Sequence, residues 1–355
     1  MRTQMEKNVL LMADSLIIEE HIYFFARNYN ALFVLDFVNK DPIFLGSIPD
    51  ENIFGECLIS SMEYWKDRLL FIPCRMNANK IWTFNLKEKK WTSISVDFDD
   101  IKFPFEKVAY SVICENVLYL VGCRYNGIIK VYLDSERIEY FPNIIDPEDD
   151  LHSLFSCELV DRSLFIPSPN RNKVSVVDLD SMDVDVYEVG NDECVYSGIC
   201  KYGDVFWLSP RGTCPYVVVW NGCKEYKMYM LPEDIILNGE YVFAGEGCIG
   251  TDIYMCGGYR RKSLKICKGD YDKKCIIPYS FVLYKNVGNN GYIMQDYDGN
   301  VSIKWEGNDY NFNLFWRGKT IFESRLVETF GDNVIYENNS VRLDTFIDLM
   351  NVEMR

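Results

Sequence analysis

An all-β fold, a single β-propeller of about seven four-stranded blades with six as the alternative, is the class this sequence predicts. Three observations carry that reading. A strand–turn–strand phrase recurs along the 355 residues. The recurrences lie roughly 39 to 48 residues apart, the period of propeller blades rather than of helical repeats. Small residues return upstream of nearly every recurrence, where the first strands of a propeller would converge on its channel.

The clearest copy of the phrase runs from Asp67 to Trp91: an acidic turn, an apolar strand around Phe71, a polar turn carrying Arg75, and a second strand around Trp82 and Phe84. Equivalent strand centres fall at Tyr23, Phe71, Tyr119, Phe165, Trp207, Tyr254 and Ile293, each behind an apolar or aromatic residue. After a short turn a second strand follows at 32–37, 81–86, 128–133, 174–179, 216–220, 264–267 and 301–305. Asp36, Asn85 and Asp178 sit where three of these hairpins close, as turn-forming side chains should.

Small residues mark the upstream strand: Ala13 and Ser15, Ser61, Ala109 and Ser111, Ser156, Ser197 and Gly198, Ala244 and Gly245. The seventh unit breaks this rule with Leu283 and Tyr284, which is why six blades stay open. Segments 47–52 and 141–150 hold Pro, Asp and Asn and read as connections between blades. The chain therefore reads as one domain, 1–355, with a C-terminal tail over 321–355. In that tail Leu343, Phe346, Ile347 and Met350 have helical spacing behind Ser340, a suitable N-cap, so a short helix is expected over 341–352.

Composition narrows the function classes. A formal net charge of -16 argues against a nucleic-acid partner, whose phosphates need basic surface. The apolar run at Val9–Met12 soon meets Asp14, Glu19 and Glu20, too short and too charged for a signal segment or a membrane span. Thirteen cysteines, an odd number, include Cys114, Cys157, Cys256 and Cys267 inside apolar strands, so they read as reduced thiols of a cytoplasmic protein. There is no Cys-x-x-Cys pair, and His21 and His152 are the two histidines, so neither a metal nor a cofactor is expected.

Ile81, Trp82, Phe84 and Leu86 followed by Trp91 resemble a kelch-type blade, and Cys256-Gly257-Gly258-Tyr259 resembles the double glycine that ends its second strand. Elsewhere Pro73, Pro167 and Ser209 stand near the place of the glycines. The chain thus resembles a degenerate kelch-like family. That resemblance implies a propeller, and most often a binding platform, although copper-radical oxidases and sialic acid mutarotases share it; it transfers no catalytic residue.

In six of the seven units the turn after the strand centre repeats an arginine: Arg27, Arg75, Arg124, Arg171, Arg211 and Arg260, with Arg261 beside the last. A ring of guanidinium forks on one face would suit a carboxylate, phosphate or sulfate. Asn28, Asn77, Asn79, Asn126 and Asn172 add neutral donors, and Tyr29, Tyr125 and Tyr259 add stacking faces. The opposite turns carry Glu19, Glu20, Asp67, Glu115, Asp161, Asp204 and Asp252, so the two faces would differ in sign. The alternative is that Arg and Asn suit tight turns and pair with carboxylates of neighbouring blades.

Two functional readings follow. In the first, a non-catalytic protein presents the arginine face to an acidic ligand or partner: a charged glycan, a nucleotide-sugar moiety or an acidic peptide, with no nucleic acid and no membrane. In the second, a sugar-isomerising or glycan-cleaving enzyme uses Glu63 and Glu158 as a channel acid/base pair. A scaffold role would draw on exposed aromatic patches at Tyr226, Tyr229 and Phe312. His21 reads as a surface residue, and His152, beside Asp146 and 148–150, as part of a solvated loop.

Overall fold

The structure is a computed structural model and describes residues 10–27, 29–37, 42–51, 57–98, 107–123, 127–146, 151, 154–235, 243–258, 261–285, 292–314, 336–337 and 340–341. Its strands form seven antiparallel sheets of four, and the protein is an all-β, seven-bladed β-propeller. The chain divides into two compact units, residues 1–95 with 297–355, and residues 96–296.

The first unit holds two complete blades. Blade one is β1 (Met12–Ile18), β2 (His21–Ala26), β3 (Leu32–Asp36) and β4 (Pro42–Gly46). Blade two is β5 (Ile59–Trp65), β6 (Arg68–Pro73), β7 (Lys80–Asn85) and β8 (Lys90–Ser95). The second unit holds four complete blades. They are β9 (Val108–Cys114), β10 (Val117–Gly122), β11 (Gly127–Tyr132) and β12 (Arg137–Pro142); β13 (Glu158–Val160), β14 (Ser163–Pro167), β15 (Lys173–Asp178) and β16 (Val184–Glu188); β17 (Tyr196–Tyr202), β18 (Val205–Pro210), β19 (Tyr216–Trp220) and β20 (Tyr226–Met230); and β21 (Phe243–Ile249), β22 (Asp252–Gly257), β23 (Ser263–Ile266) and β24 (Lys274–Ile277). The seventh sheet runs in the order β25 (Phe281–Lys285), β26 (Tyr292–Asp296), β27 (Asn300–Trp305) and β28 (Asn308–Asn313). In the first unit, Leu10 N–H donates to the carbonyl of Leu314, just past β28, at 3.2 Å.

The small residues of the first strands have a local cause beyond channel space. Registers slip at one height in five blades, between Met12 and Asp14, between Ile59 and Ser61, opposite Val121 and Gly122, between Tyr196 and Gly198, and between Phe243 and Glu246. Each slip is a β-bulge, and the residues skipped are Ala13, Ser60, Ala109, Ser197, and Ala244 with Gly245. β25 pairs with β26 without a shift, so the seventh blade has no bulge to serve. Its Leu283 instead lies where a Cβ on Gly247 would stand 2.6 Å away, so the small residue is on the neighbouring strand.

The turns obey the same economy. In six blades the first and second strands join through two residues, and the first of them turns left-handed at Glu19, Lys66, Glu115, Asp161, Gly203 and Gly250 (φ 44° to 61°). The third-strand hairpins close as the sequence predicts: Asn85 Oδ1 accepts from the amides of Lys87 and Glu88, and Asp178 Oδ1 from those of Asp180 and Ser181. In blade two Trp91 packs with ring centroids 4.9 Å from both Phe71 and Phe84.

The C-terminal expectation needs correction at its start. Ser340–Val341 is a strand paired with Tyr336–Glu337, not a helix cap; the rest of the expected helix, 342–352, lies outside the described residues.

Candidate functional site

Arg27, Arg75, Arg171 and Arg211 all stand in the turn between second and third strands of their blades, as the sequence predicts. Arg124 and Arg260 lie outside the described residues, as do Asn28, Tyr125, Asn126 and Tyr259.

In the second unit two of these arginines are held by their own chain. Arg171 Nη1 donates to Asp146 Oδ2 at 2.9 Å, with Lys173 Nζ 3.9 Å from the same oxygen. Arg211 Nη1 donates to Pro169 O at 2.7 Å and Asn170 Oδ1 at 3.0 Å, in the corresponding turn of the preceding blade. Ser168 Oγ accepts from the amides of Asn170 and Arg171, which stiffens that turn. For these two positions, pairing with neighbouring turns accounts for the residue type.

In the first unit the corresponding turns are welded together through residues that the sequence reading passed over. Asn30, 2% exposed, donates its amide to Ile48 O (2.8 Å) and Glu51 O (3.2 Å) and accepts from Ile48 N (2.7 Å). Glu51, 4% exposed, turns its carboxylate the other way: Oε2 accepts from Asn77 N at 2.9 Å and Oε1 from Ala78 N at 2.8 Å. Cys57 N–H donates to Arg27 O at 2.9 Å, and Cys74 N–H to Leu58 O at 2.9 Å. The Arg27 turn, segment 48–51 and the Arg75 turn thus form one hydrogen-bonded frame. Arg75 is exposed on it and Arg27 half-buried.

The first strands carry the two carboxylates the sequence singles out, Glu63 on β5 and Glu158 on β13. Glu63 pairs across to Leu70, and Glu158 to Phe165. Counted from the closing pairs Trp65–Arg68 and Val160–Ser163, each glutamate stands two residues back, so in their own blades the two occupy corresponding register positions. A third carboxylate, Glu246 on β21, is 3% exposed and accepts from the hydroxyls of Ser156 and Ser209. Ser197 Oγ lies 2.8 Å from Ser209 Oγ. Gly198 leaves the space: a Cβ there would meet Glu246 Oε1 at 2.2 Å and Ser156 Oγ at 2.4 Å.

Asp14, beside the β1 bulge, accepts from Met62 N (2.6 Å) and Ser15 N (2.8 Å). Burial pushes its carboxyl from the usual range up to about 7, against the pull of those two amides. Because the folded value lies above the unfolded one, the protonated form favours folding. Its contribution is complete below about pH 4, drains away as pH rises to about 7, and is then constant, at most about 4 kcal/mol. Between pH 4 and about 7 the urea midpoint of wild type is expected to fall relative to that of Asp14→Asn, which lacks the titrating group. Parallel profiles would contradict the shift.

The aromatic patch expected at Tyr226, Tyr229 and Phe312 is not a patch. Tyr226 is 42% exposed, but Tyr229 stacks 4.6 Å from Tyr271 and Phe312 is 8% exposed, because alternate residues of an outer strand face the sheet. His21 stands 3.7 Å from Asp36 on the surface, and His152 lies outside the described residues. Among the described residues no group of three or more His, Cys, Asp or Glu suits a metal, and no helix is long and apolar enough to cross a membrane.

No protein-family model and no curated protein matches the chain. Solved structures do. Virginiamycin B lyase from Staphylococcus aureus is similar with a TM-score of 0.57 at 11% identity, over 84% of this chain and 92% of that one. BamB from Moraxella catarrhalis is similar with a TM-score of 0.53 at 11% identity, over 80% and 81%. The computationally designed Ika8 protein reaches 0.55 at 6% identity, over 86% and 89%. At such identities, and with a designed protein among them, the likeness is one of fold.

Proposed function

We propose that the protein is a non-catalytic binding platform that offers the Arg27–Arg75 frame to an acidic ligand: a charged glycan, a nucleotide-sugar moiety or an acidic peptide. One observation carries this reading. Arg75 is exposed on a turn whose backbone is fixed by the buried Glu51 and by the 57–58 segment, so the guanidinium is delivered from a rigid base. A rigid base lowers the ordering cost of binding, and a fork of donors matches a carboxylate or phosphate bidentately. Asn77 and Asn79 lie in the same turn and suit hydroxyls.

The recurrence of arginine in six turns is then two things at once. Arg171 and Arg211 hold turns together, while Arg75 and Arg27 face a partner. Titration calorimetry with an acidic monosaccharide, a nucleotide-sugar and a poly-glutamate peptide tests it. At least one probe is expected to bind with affinity that falls as salt rises, and Arg75→Ala to weaken it about tenfold or more, the worth of one charged hydrogen-bond pair. Binding equal in wild type and Arg75→Ala, or binding by none of the probes, would overturn the reading.

A further inference from the structure

All thirteen cysteines are free thiols, and two of them meet between first strands of neighbouring blades. Cys200 on β17 pairs across its sheet to Trp207 and is 2% exposed; Cys248 on β21 pairs to Ile253 and is exposed. Their sulfurs are 3.9 Å apart, and Cys248 Sγ also reaches Lys201 O at 3.4 Å. One thiol therefore faces solvent while its partner, almost at contact, is sealed beneath it. That is the division between an attacking and a resolving cysteine.

We propose that Cys200 and Cys248 form an oxidation site that peroxide converts to a disulfide fastening β17 to β21. In the first step the Cys248 thiolate attacks a peroxide oxygen, the O–O bond breaks, and a sulfenic acid forms with loss of hydroxide. In the second, the Cys200 sulfur attacks the sulfenic sulfur, the S–O bond breaks, and the proton of Cys200 leaves with the oxygen as water. Two thiols are oxidised by two electrons and one peroxide is reduced to two waters. Closing the sulfurs from 3.9 Å to the roughly 2.05 Å of a disulfide requires side-chain rotation and a small approach of the strands.

The pair is distinctive among the thiols. Cys194 and Cys214 also lie close together, their thiols hydrogen-bonded, but both are sealed at 0% and 1% exposure, so a peroxide has no path to either. Cys223 and Cys275 are exposed. The 200–248 pair joins an exposed thiol to a direct sulfur–sulfur approach.

The test uses the full chain treated with hydrogen peroxide, then alkylated and mapped by peptide mass spectrometry. The expected product is a Cys200–Cys248 crosslink, two alkylatable thiols fewer, and a melting temperature raised by about 5 °C, reversed by dithiothreitol. Cys248→Ser is expected to remove the crosslink and the shift. Cys200→Ala is expected to remove both yet leave a sulfenic acid at Cys248 that dimedone traps, which separates the two roles. The proposal fails if wild type accumulates dimedone-reactive Cys248 without the crosslink, if the crosslink maps to other cysteines, or if Cys248→Ser keeps the shift.

Discussion

Gly257→Ala is expected to cost about 3 kcal/mol or more and to be the most damaging single-methyl change in the sixth blade. Gly257 ends β22, and a Cβ there would stand 2.2 Å from Lys262 O, 2.7 Å from Lys262 C and 3.0 Å from Arg261 O. These are backbone atoms, so no rotamer change relieves the collision. The hairpin itself would have to open. Opening it would strain a buried chain of bonds, because Gly257 N–H donates to Ser263 Oγ at 2.9 Å and that hydroxyl donates to Tyr279 O at 2.9 Å. Ser263 and Gly257 are buried, so an unpaired Gly257 amide would carry a desolvation cost. The urea midpoint of the variant measures this, and a loss under about 1 kcal/mol would show that the turn yields more easily than its geometry implies.

This glycine also shows what was legible in the chain. Cys256-Gly257-Gly258-Tyr259 reads as a kelch-like double glycine, and the structure gives the physical reason for its first glycine, a close approach of two backbone segments. The kelch family itself receives no further support, whereas the propeller does. The blade centres, the hairpin-closing Asn85 and Asp178, and the turn positions of Arg27, Arg75, Arg171 and Arg211 were all readable because each is set by residues within a few positions.

What was not readable depends on contacts across many residues or on a single inserted one. Asn30 and Glu51 build the arginine frame through partners 18, 21, 26 and 27 positions away, and nothing local distinguishes them from solvated polar residues. Glu246 meets Ser156 across 90 positions. The face of a strand residue follows from counting by two, and one bulge reverses the count.

The Ser156–Glu246 pair offers the sharpest energetic test of the buried polar cluster. Ser156 Oγ accepts from Ile199 N at 3.0 Å and supplies one of the two serine hydroxyls on the Glu246 carboxylate. Ser156→Ala strips both, leaving a buried amide unpaired and a buried charge with one serine donor fewer, at an expected cost of about 2–4 kcal/mol. Glu246→Gln removes the charge but not the shape. Each serine then keeps a carbonyl within reach, Ser156 that of Ile199 at 3.1 Å and Ser209 that of Gly198 at 3.5 Å, so its cost should stay near about 1 kcal/mol. In the double variant the charge that Ser156→Ala leaves poorly satisfied is gone, and the combined loss should fall short of the sum by about 1–2 kcal/mol. Urea midpoints of the four proteins measure that coupling. Additive losses would mean that the hydroxyl serves Ile199 alone and that the carboxylate is held by its other contacts, whereas the short sum would identify Ser156 as the residue that lets this propeller keep a carboxylate buried between first strands.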